Sequence, residues 1–209
     1  MTELWTDIQF YFSENLGKYL TCVRVHVGIS FLALLTAAVI GIPLGYMCVK
    51  NQRWNRLITG GFQVLRIIPS LALFALLIPV TGLGMPTAVI VLTVYNQYLL
   101  LRNFVAGLFC VDPAVTEAAE GLGMSRMQVL VRIRIPLAKK ALFTGIQLSI
   151  VSTIGIATIA AMINAGGLGT ILFDGLRTLN VNKIVCGSVL SAELALGING
   201  CFQAVEKRL

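Results

Sequence analysis

The sequence predicts an all-α membrane protein that crosses the bilayer five times. Of its 209 residues, 57% are hydrophobic and 12% are charged, about half the charged fraction of a typical soluble domain. Mean hydropathy is +0.86. A soluble fold of this length could not cover so much apolar surface with polar groups. The apolar runs are continuous rather than alternating, which favours helices over a β-barrel.

Charge-free stretches locate the five spans, because a helix needs about 20 apolar residues to cross the hydrocarbon core. The stretch Val25–Val49 contains the first span. Residues 67–101 also carry no charge, and this run is too long for one helix. A group of turn-forming residues divides it: Pro79, Gly82, Gly84 and Pro86. We therefore predict the remaining spans at about 57–80, 86–107, 141–164 and 184–205, the fourth ending before the glycine-rich run 166–169.

The first 25 residues show helical spacing of apolar positions without the apolar core of a signal peptide. These positions are Leu4, Trp5, Ile8, Phe12, Leu16 and Leu20. We predict an extracytoplasmic amphipathic segment over residues 1–25, lying at the membrane interface or packed on the spans. Residues 26–205 then form the membrane domain, and residues 206–209 form a short cytoplasmic tail.

Basic residues are distributed unevenly between the two sides of the predicted spans. Eleven Lys and Arg residues fall on one side and four on the other, with Arg66 inside a span. The positive-inside rule places the eleven in the cytoplasm. The N-terminus is therefore predicted outside and the C-terminus inside the cytoplasmic membrane. Because the net charge of +7 flanks membrane spans, it gives no support to nucleic-acid binding.

The connection between spans three and four begins with a predicted short helix. Asp112 and Pro113 have the pattern of an N-cap and a first helical residue, and the helix runs through Ala119. Gly121 and Gly123 then end the helix or allow another backbone to approach closely.

A second helix is predicted to follow after the glycines. Ser125 with Gln128 three positions later has the capping-box pattern, and Pro136 stops or kinks the helix before span four. The connection is therefore expected to be a structured helix–turn–helix. It either meets a cytoplasmic partner or packs on the protein's own spans.

These residues also carry a family resemblance. The run Glu117-Ala118-Ala119, then Gly123, then Ile133-Arg134-Ile135-Pro136, resembles the EAA motif of permease subunits of bacterial ABC importers, with isoleucine before the proline in place of leucine. Four further runs are similar to the glycine betaine/carnitine/choline branch of these permeases: Ile42-Pro43-Leu44-Gly45, Ile68-Pro69-Ser70-Leu71-Ala72-Leu73, Arg102-Asn103 and Ala165-Gly166-Gly167-Leu168-Gly169. The resemblance covers about residues 26–205.

The resemblance implies a type I ABC importer permease, a non-catalytic subunit that forms the path for a quaternary-ammonium osmoprotectant. Its coupling to a separate ATPase is expected to involve Asp112, Glu117, Ala118, Ala119, Gly123, Ile133 and Pro136. The chain has no Gly-x-x-x-x-Gly-Lys-Ser/Thr phosphate loop. We therefore expect it to bind no cofactor, with ATP used by the partner ATPase. An extracytoplasmic binding protein and a second permease copy or paralogue complete the expected assembly.

Two charged residues, Arg66 and Glu193, fall well inside predicted spans, whereas Arg102 lies toward the cytoplasmic edge of the third span. Either Arg66 and Glu193 pair and hold two helices together, or Glu193 attracts a cationic substrate. The candidate residues of the translocation path are Pro69, Ser70, Asn96, Tyr98 and Glu193. Polar residues in spans also commonly form hydrogen bonds between helices.

The sequence leaves two other functions open: a permease for amino acids of the methionine type, or a secondary transporter or channel. The second alternative leaves the structured connection without a role. No metal site is predicted, because the five cysteines show no Cys-x-x-Cys spacing and His26, the single histidine, has no ligand-forming neighbours at the required spacing. An intramembrane enzyme would require an acid–base pair that the sequence does not show.

Overall fold

The computed structural model of the protein describes residue 10 and residues 12–208, and in this part of the chain all regular elements are helices. The α-helices are α1 (Leu16–Lys50), α2 (Gln52–Ile67), α3 (Ser70–Thr81), α4 (Met85–Phe109), α5 (Pro113–Gly121), α6 (Arg126–Val129), α7 (Ile135–Leu137), α8 (Lys139–Ala160), α9 (Gly169–Arg177) and α10 (Val181–Glu206). A π-helical turn covers Leu130–Arg134, and a 3₁₀ turn, Ala161–Ile163, extends α8. Four helices, α1, α4, extended α8 and α10, are long and apolar enough to cross a membrane, and the bent pair α2–α3 makes a fifth candidate. The predicted all-α, five-span class is confirmed.

The second span differs from the single helix predicted at 57–80. It consists of α2 and α3, whose axes meet at 98°. Pro69 causes the break, because a residue before proline is driven out of the helical region, and Ile68 is extended with ψ 126°. Pro79, predicted to be in a turn, lies inside α3 instead. The turn consists of residues 82–84, with Gly82 and Gly84 at positive φ.

The first span begins earlier than predicted. Helix α1 starts at Leu16 rather than Val25, so the second part of the predicted amphipathic segment continues directly into the span. Tyr19 is buried in a cluster with Leu168 and Ile171, and its ring stacks on Phe12 at 5.2 Å. Of the two alternatives for this segment, the described part supports packing on the other helices. Positions 4, 5 and 8 lie outside the described residues.

Helix α4 is the centre of the bundle and packs against α1, α2, α3 and α8. The core contains Phe74 and Leu92 among small residues such as Ala33 and Ala157. Glycines allow the closest crossing of α4 and α8, since a Cβ on Gly145 would lie 2.6 Å from a side-chain carbon of Asn103. Small residues at such crossings are typical of membrane helices, which gain packing energy by close approach.

The loop after α8 is fastened to α1 by His26. Asn164, Gly166 and Gly167 all have positive φ and turn the chain back toward α9, a short helix that the sequence did not predict. The His26 Nδ1 atom accepts a hydrogen bond from the Leu168 N–H at 3.2 Å, and its Nε2–H donates to a carbonyl oxygen of α8 at 3.1 Å. His26 is therefore structural, as its isolated position in the sequence indicates.

Candidate coupling and translocation site

Both ends of helix α5 are capped by hydrogen bonds that involve the predicted capping residues Asp112 and Gly123. The Asp112 carboxylate accepts a hydrogen bond from the backbone N–H two residues later at 2.9 Å. At the other end, Gly123 has φ +85° and donates its N–H to the Glu120 oxygen at 2.9 Å, while the Met124 N–H donates to the Ala119 oxygen at 3.2 Å. This is a Schellman motif, which requires the left-handed conformation that glycine adopts without strain.

Helix α5 presents one apolar face to its surroundings. Ala119 is only 5% exposed and holds the helix against the protein. The outward face contains Ala118 between Val115 and Leu122, and Leu122 is 84% exposed. Ala119 therefore differs from its predicted contact role: it seats the helix, whereas Ala118 and Glu117 are exposed. Sequence reasoning missed Val115 and Leu122, although their i, i+3, i+7 spacing with Ala118 was a readable signal.

The second half of the connection begins with the predicted capping box. The Ser125 hydroxyl accepts from the Gln128 N–H, and the Gln128 side chain accepts from the Ser125 N–H at 2.7 Å. Arg134, which sequence reasoning left without a role, anchors the far end. Its guanidinium donates to the Leu108 oxygen at 2.9 Å and lies 5.7 Å from the Phe109 ring centroid. The connection is thereby fixed to the end of α4.

Pro136 acts on this connection through the backbone. It has no N–H, and the helix before it widens into the π turn, in which the Ile135 N–H bonds to the Leu130 oxygen five residues back. Ile133 is half-buried in this turn. The predicted stop or kink at Pro136 is therefore a π turn followed by the three-residue helix α7, after which α8 begins.

The bend at Ile68 and Pro69 lies directly against α4. The Tyr95 hydroxyl donates to the Ile68 carbonyl oxygen, which the break has released from helical hydrogen bonding. Pro69 is exposed and Ser70 is half-buried at the start of α3. Both predicted path residues thus lie at a bend inside the second span, which is fixed by a side chain from α4.

Tyr98 lies one turn further along α4 and contacts two arginines. The Arg66 guanidinium is 5.0 Å from the Tyr98 ring centroid and that of Arg102 is 5.8 Å away. Arg102 also donates to the Tyr98 hydroxyl at 2.9 Å. The Arg66–Glu193 ion pair, one of the two predicted alternatives, does not form among the described residues. Arg66 contacts the Tyr98 ring instead.

Asn96 and Glu193 occupy opposite environments. Asn96 is 2% exposed and its side-chain oxygen accepts from the Thr153 hydroxyl at 2.9 Å, which joins α4 to α8. This is a contact between helices, and it differs from the predicted lining of a path. Glu193 is exposed near the middle of α10, the least buried of the four single-helix candidate spans.

The ion pairs within the described ranges all belong to Asp174, at the α9–α10 hairpin. Its carboxylate accepts from Lys183 at 2.6 Å and from Arg177 at 3.0 Å. These two hydrogen bonds hold the pKa of Asp174 below its ordinary value, because they stabilise the charged form. The hairpin connects α10 to the rest of the bundle.

The overall fold of the chain matches that of solved transport proteins. One structure of the MetNI methionine ABC transporter in an inward facing conformation matches with a TM-score of 0.84, at 21% identity, over 90% of this chain and 94% of that chain. A crystal structure of an amino acid ABC transporter with histidines matches with a TM-score of 0.82, at 17% identity, over 96% and 98% of the two chains. At such identities the likeness is one of fold. The fold class is that of a type I ABC importer permease.

The sequence comparison defines the family more closely. Residues 26–209 match the family model described as the binding-protein-dependent transport system inner membrane component, and the chain belongs to this family. A carnitine transport permease protein, OpuCB of Listeria monocytogenes, is 33% identical over 95% of this chain and 91% of its own length. A glycine betaine/carnitine/choline permease protein, OpuCD of Bacillus subtilis, is 32% identical over 93% and 85%. The osmoprotectant import permease protein OsmW of Salmonella typhimurium is 33% identical over 91% of both chains.

Proposed function

We propose that this permease subunit forms the translocation path for a quaternary-ammonium osmoprotectant of the glycine betaine, carnitine and choline class. The observation that carries this substrate class is the identity of 32–33% with osmoprotectant permeases over more than nine-tenths of the chain. The methionine-type alternative has support from fold likeness alone, at 21% identity. A secondary transporter or channel does not agree with membership of a binding-protein-dependent family.

The partner ATPase binds α5 in this proposal. Three features support it: an apolar outward face, a carboxylate at Glu117 beside that face, and a capped, rigid connection to α4. An amphipathic helix that lies in a groove of a partner typically uses apolar contacts at i, i+3 and i+7, the spacing of Val115, Ala118 and Leu122. The cytoplasmic location of α5 follows from the positive-inside rule, which puts the N-terminus outside.

Two further partners complete the proposed importer. A substrate-binding protein delivers the osmolyte at the outer face, as the family's name indicates. A second permease copy or paralogue covers the exposed surface of the membrane-spanning helix α10, on which Glu193 lies. An unpaired carboxylate at the bilayer centre costs about 2.5–3.5 kcal/mol on the insertion scale, which favours a polar path or a partner at this position. The permease itself catalyses no reaction, and ATP is used by the ATPase.

The test is reconstitution of the complete importer in proteoliposomes. The permease is co-purified with its candidate ATPase and binding protein, and uptake of labelled glycine betaine, carnitine, choline and methionine is measured with and without ATP. We expect ATP-dependent uptake of at least one quaternary-ammonium compound and none of methionine. Methionine uptake alone, or uptake independent of ATP and the binding protein, would contradict the proposal.

A further inference from the structure

Two guanidinium groups meet at one tyrosine near the middle of a membrane span. Tyr98 lies about 20 Å along α4 from Met85 and about 16 Å from Phe109, at 1.5 Å per residue. Arg66 and Arg102 both lie within 6 Å of its ring centroid. Because these cations occupy the vicinity of the ring, Tyr98 does not offer a free aromatic face to a quaternary ammonium group in this conformation.

Among the described residues, neither arginine forms an ion pair. No carboxylate lies within ion-pair distance of Arg66 or Arg102 in the part of the chain that the structure describes. Both arginine side chains are exposed, whereas Tyr98 is 9% exposed beneath them. Charged side chains at membrane depth face a water-filled cavity or a polar partner, since exposure to lipid is costly. The surface where Arg66 of α2 meets Tyr98 and Arg102 of α4 is therefore suited to an aqueous path.

A cavity of mixed polar and apolar lining lies beside Tyr98 and Arg102. It has a volume of about 360 Å³ and is lined from α2 by Asn55, Thr59 and Gln63, which repeat every four residues along one face of that helix. From α4 it is lined by Tyr98, Arg102, Val105 and Ala106, and Arg66 lies next to this lining, against the Tyr98 ring. The volume is within the range of small-molecule sites. The cavity thus combines neutral hydrogen-bonding groups with an unpaired positive charge, a combination suited to an anionic group.

We propose that Arg66 and Arg102 form a carboxylate-binding site of the translocation path, which makes this permease select zwitterionic osmolytes over carboxyl-free cations. The inference rests on the proposed function and narrows its substrate class. Guanidinium groups bind carboxylates through paired, charge-assisted hydrogen bonds. Glycine betaine and carnitine carry a carboxylate beside their quaternary ammonium group, whereas choline carries a hydroxyl. A substrate carboxylate can form an ion pair with these arginines, which have no carboxylate partner among the described residues. A simple cation is repelled by them.

The test measures binding to the purified permease–ATPase complex without the binding protein, so that selectivity of the binding protein does not enter. Labelled glycine betaine and labelled choline are the probes, in equilibrium dialysis. We expect the wild-type complex to bind glycine betaine more tightly than choline. Arg66→Gln and Arg102→Gln each weaken glycine betaine binding about tenfold, the usual scale of a lost charge-assisted hydrogen bond, and leave choline binding equal or tighter. Arg66→Lys retains part of the preference.

The matched control is Arg53→Gln, which removes the same charge from the same helix as Arg66, at an exposed position with no cation–π contact to the Tyr98 ring. Equal binding of the two probes by the wild type, or loss of both probes together in the variants, would overturn the inference. So would unchanged glycine betaine binding in both glutamine variants. These outcomes leave the proposed function standing if the reconstituted importer still takes up a quaternary-ammonium osmolyte. If the importer takes up none, the proposed function itself fails.

Discussion

The α5 connection and the bend between α2 and α3 both contain a proline and a break in helical hydrogen bonding, but they are stabilised differently. The turn after α5 is closed by bonds between residues at most five positions apart, such as that from Met124 to Ala119. At the bend, the freed oxygen of Ile68 is bonded by Tyr95, which is 27 positions away. The conformation of the turn after α5 is therefore determined by neighbouring residues, whereas that of the Ile68–Pro69 bend depends on its contact with α4.

This difference has a functional consequence. A locally closed segment keeps its shape when the helices around it move, so α5 is suited to transmit a rigid displacement to α4 through the Arg134 bond at Leu108. A bend fixed by a distant side chain changes when the two helices shift relative to each other. We therefore expect the Ile68–Pro69 bend to respond to such a displacement. Arg66, of the proposed carboxylate-binding pair, lies two residues before Ile68.

The largest expected effect comes from opening the local turn. Gly123→Val places a β-branched residue at φ +85°, a strained conformation that costs about 1–3 kcal/mol. We expect ATP-dependent uptake in proteoliposomes to fall at least tenfold, with unchanged membrane insertion. Gly121→Val is the control, since a Cβ at Gly121 meets no atom within 4 Å and its φ is not positive. Equal uptake in the two variants would show that the turn does not depend on Gly123.

The next effect tests the outward face of α5 without changing its fold. Leu122→Asp places a charge on a side chain that is 84% exposed. We expect the free energy of unfolding to change by less than about 0.5 kcal/mol, as for other surface substitutions. Affinity for the ATPase should fall about tenfold, because an apolar contact of the kind that buries a leucine is lost. A pull-down titration with the purified ATPase measures this affinity.

Leu179→Asp is its matched control, as Leu179 is 86% exposed at the α9–α10 hairpin. This variant should bind the ATPase as the wild type does. If both aspartate variants bind equally well, the ATPase does not contact the Val115–Leu122 face.

The same division between local and distant contacts decides how much the sequence could predict. Asp112, Gly123 and the Ser125–Gln128 box were predictable because each capping signal and its partner lie within a few residues. The bend was missed because Pro69 lies inside the predicted segment 57–80, whose length suits one continuous span. The Arg66–Tyr98 contact was missed because it depends on the angle between α2 and α4. Composition predicted the spans, but which face of each helix is buried required the assembled bundle.

A third effect tests the distant contact at the bend. Tyr95→Phe removes the hydroxyl that donates to the Ile68 oxygen and keeps the ring in place. We expect the free energy of unfolding to fall by about 0.5–1.5 kcal/mol, the net value of one hydrogen bond. Thermal unfolding of the purified protein in detergent measures the change. Tyr46→Phe, on the half-exposed face of α1, is the control and should have no effect. An unchanged unfolding temperature for Tyr95→Phe would show that Pro69 alone maintains the bend.

The smallest effect concerns the α9–α10 hairpin, whose ion pairs are intermediate in range between the two regions. Asp174 bonds to Arg177 three positions away and to Lys183 nine positions away. Hydrogen bonds from Lys183 and Arg177 lower the pKa of Asp174 in the folded protein. Its stabilising contribution is therefore complete above the ordinary carboxyl pKa of about 4 and is lost as the pH falls through the lower, folded value.

Asp174→Asn should slightly lower the unfolding temperature at pH 7, and the difference from the wild type should disappear in acid. Salt should weaken the effect too, because the pair is partly exposed. A difference that persists at pH 2 would show that Asp174 acts through packing rather than through its charge.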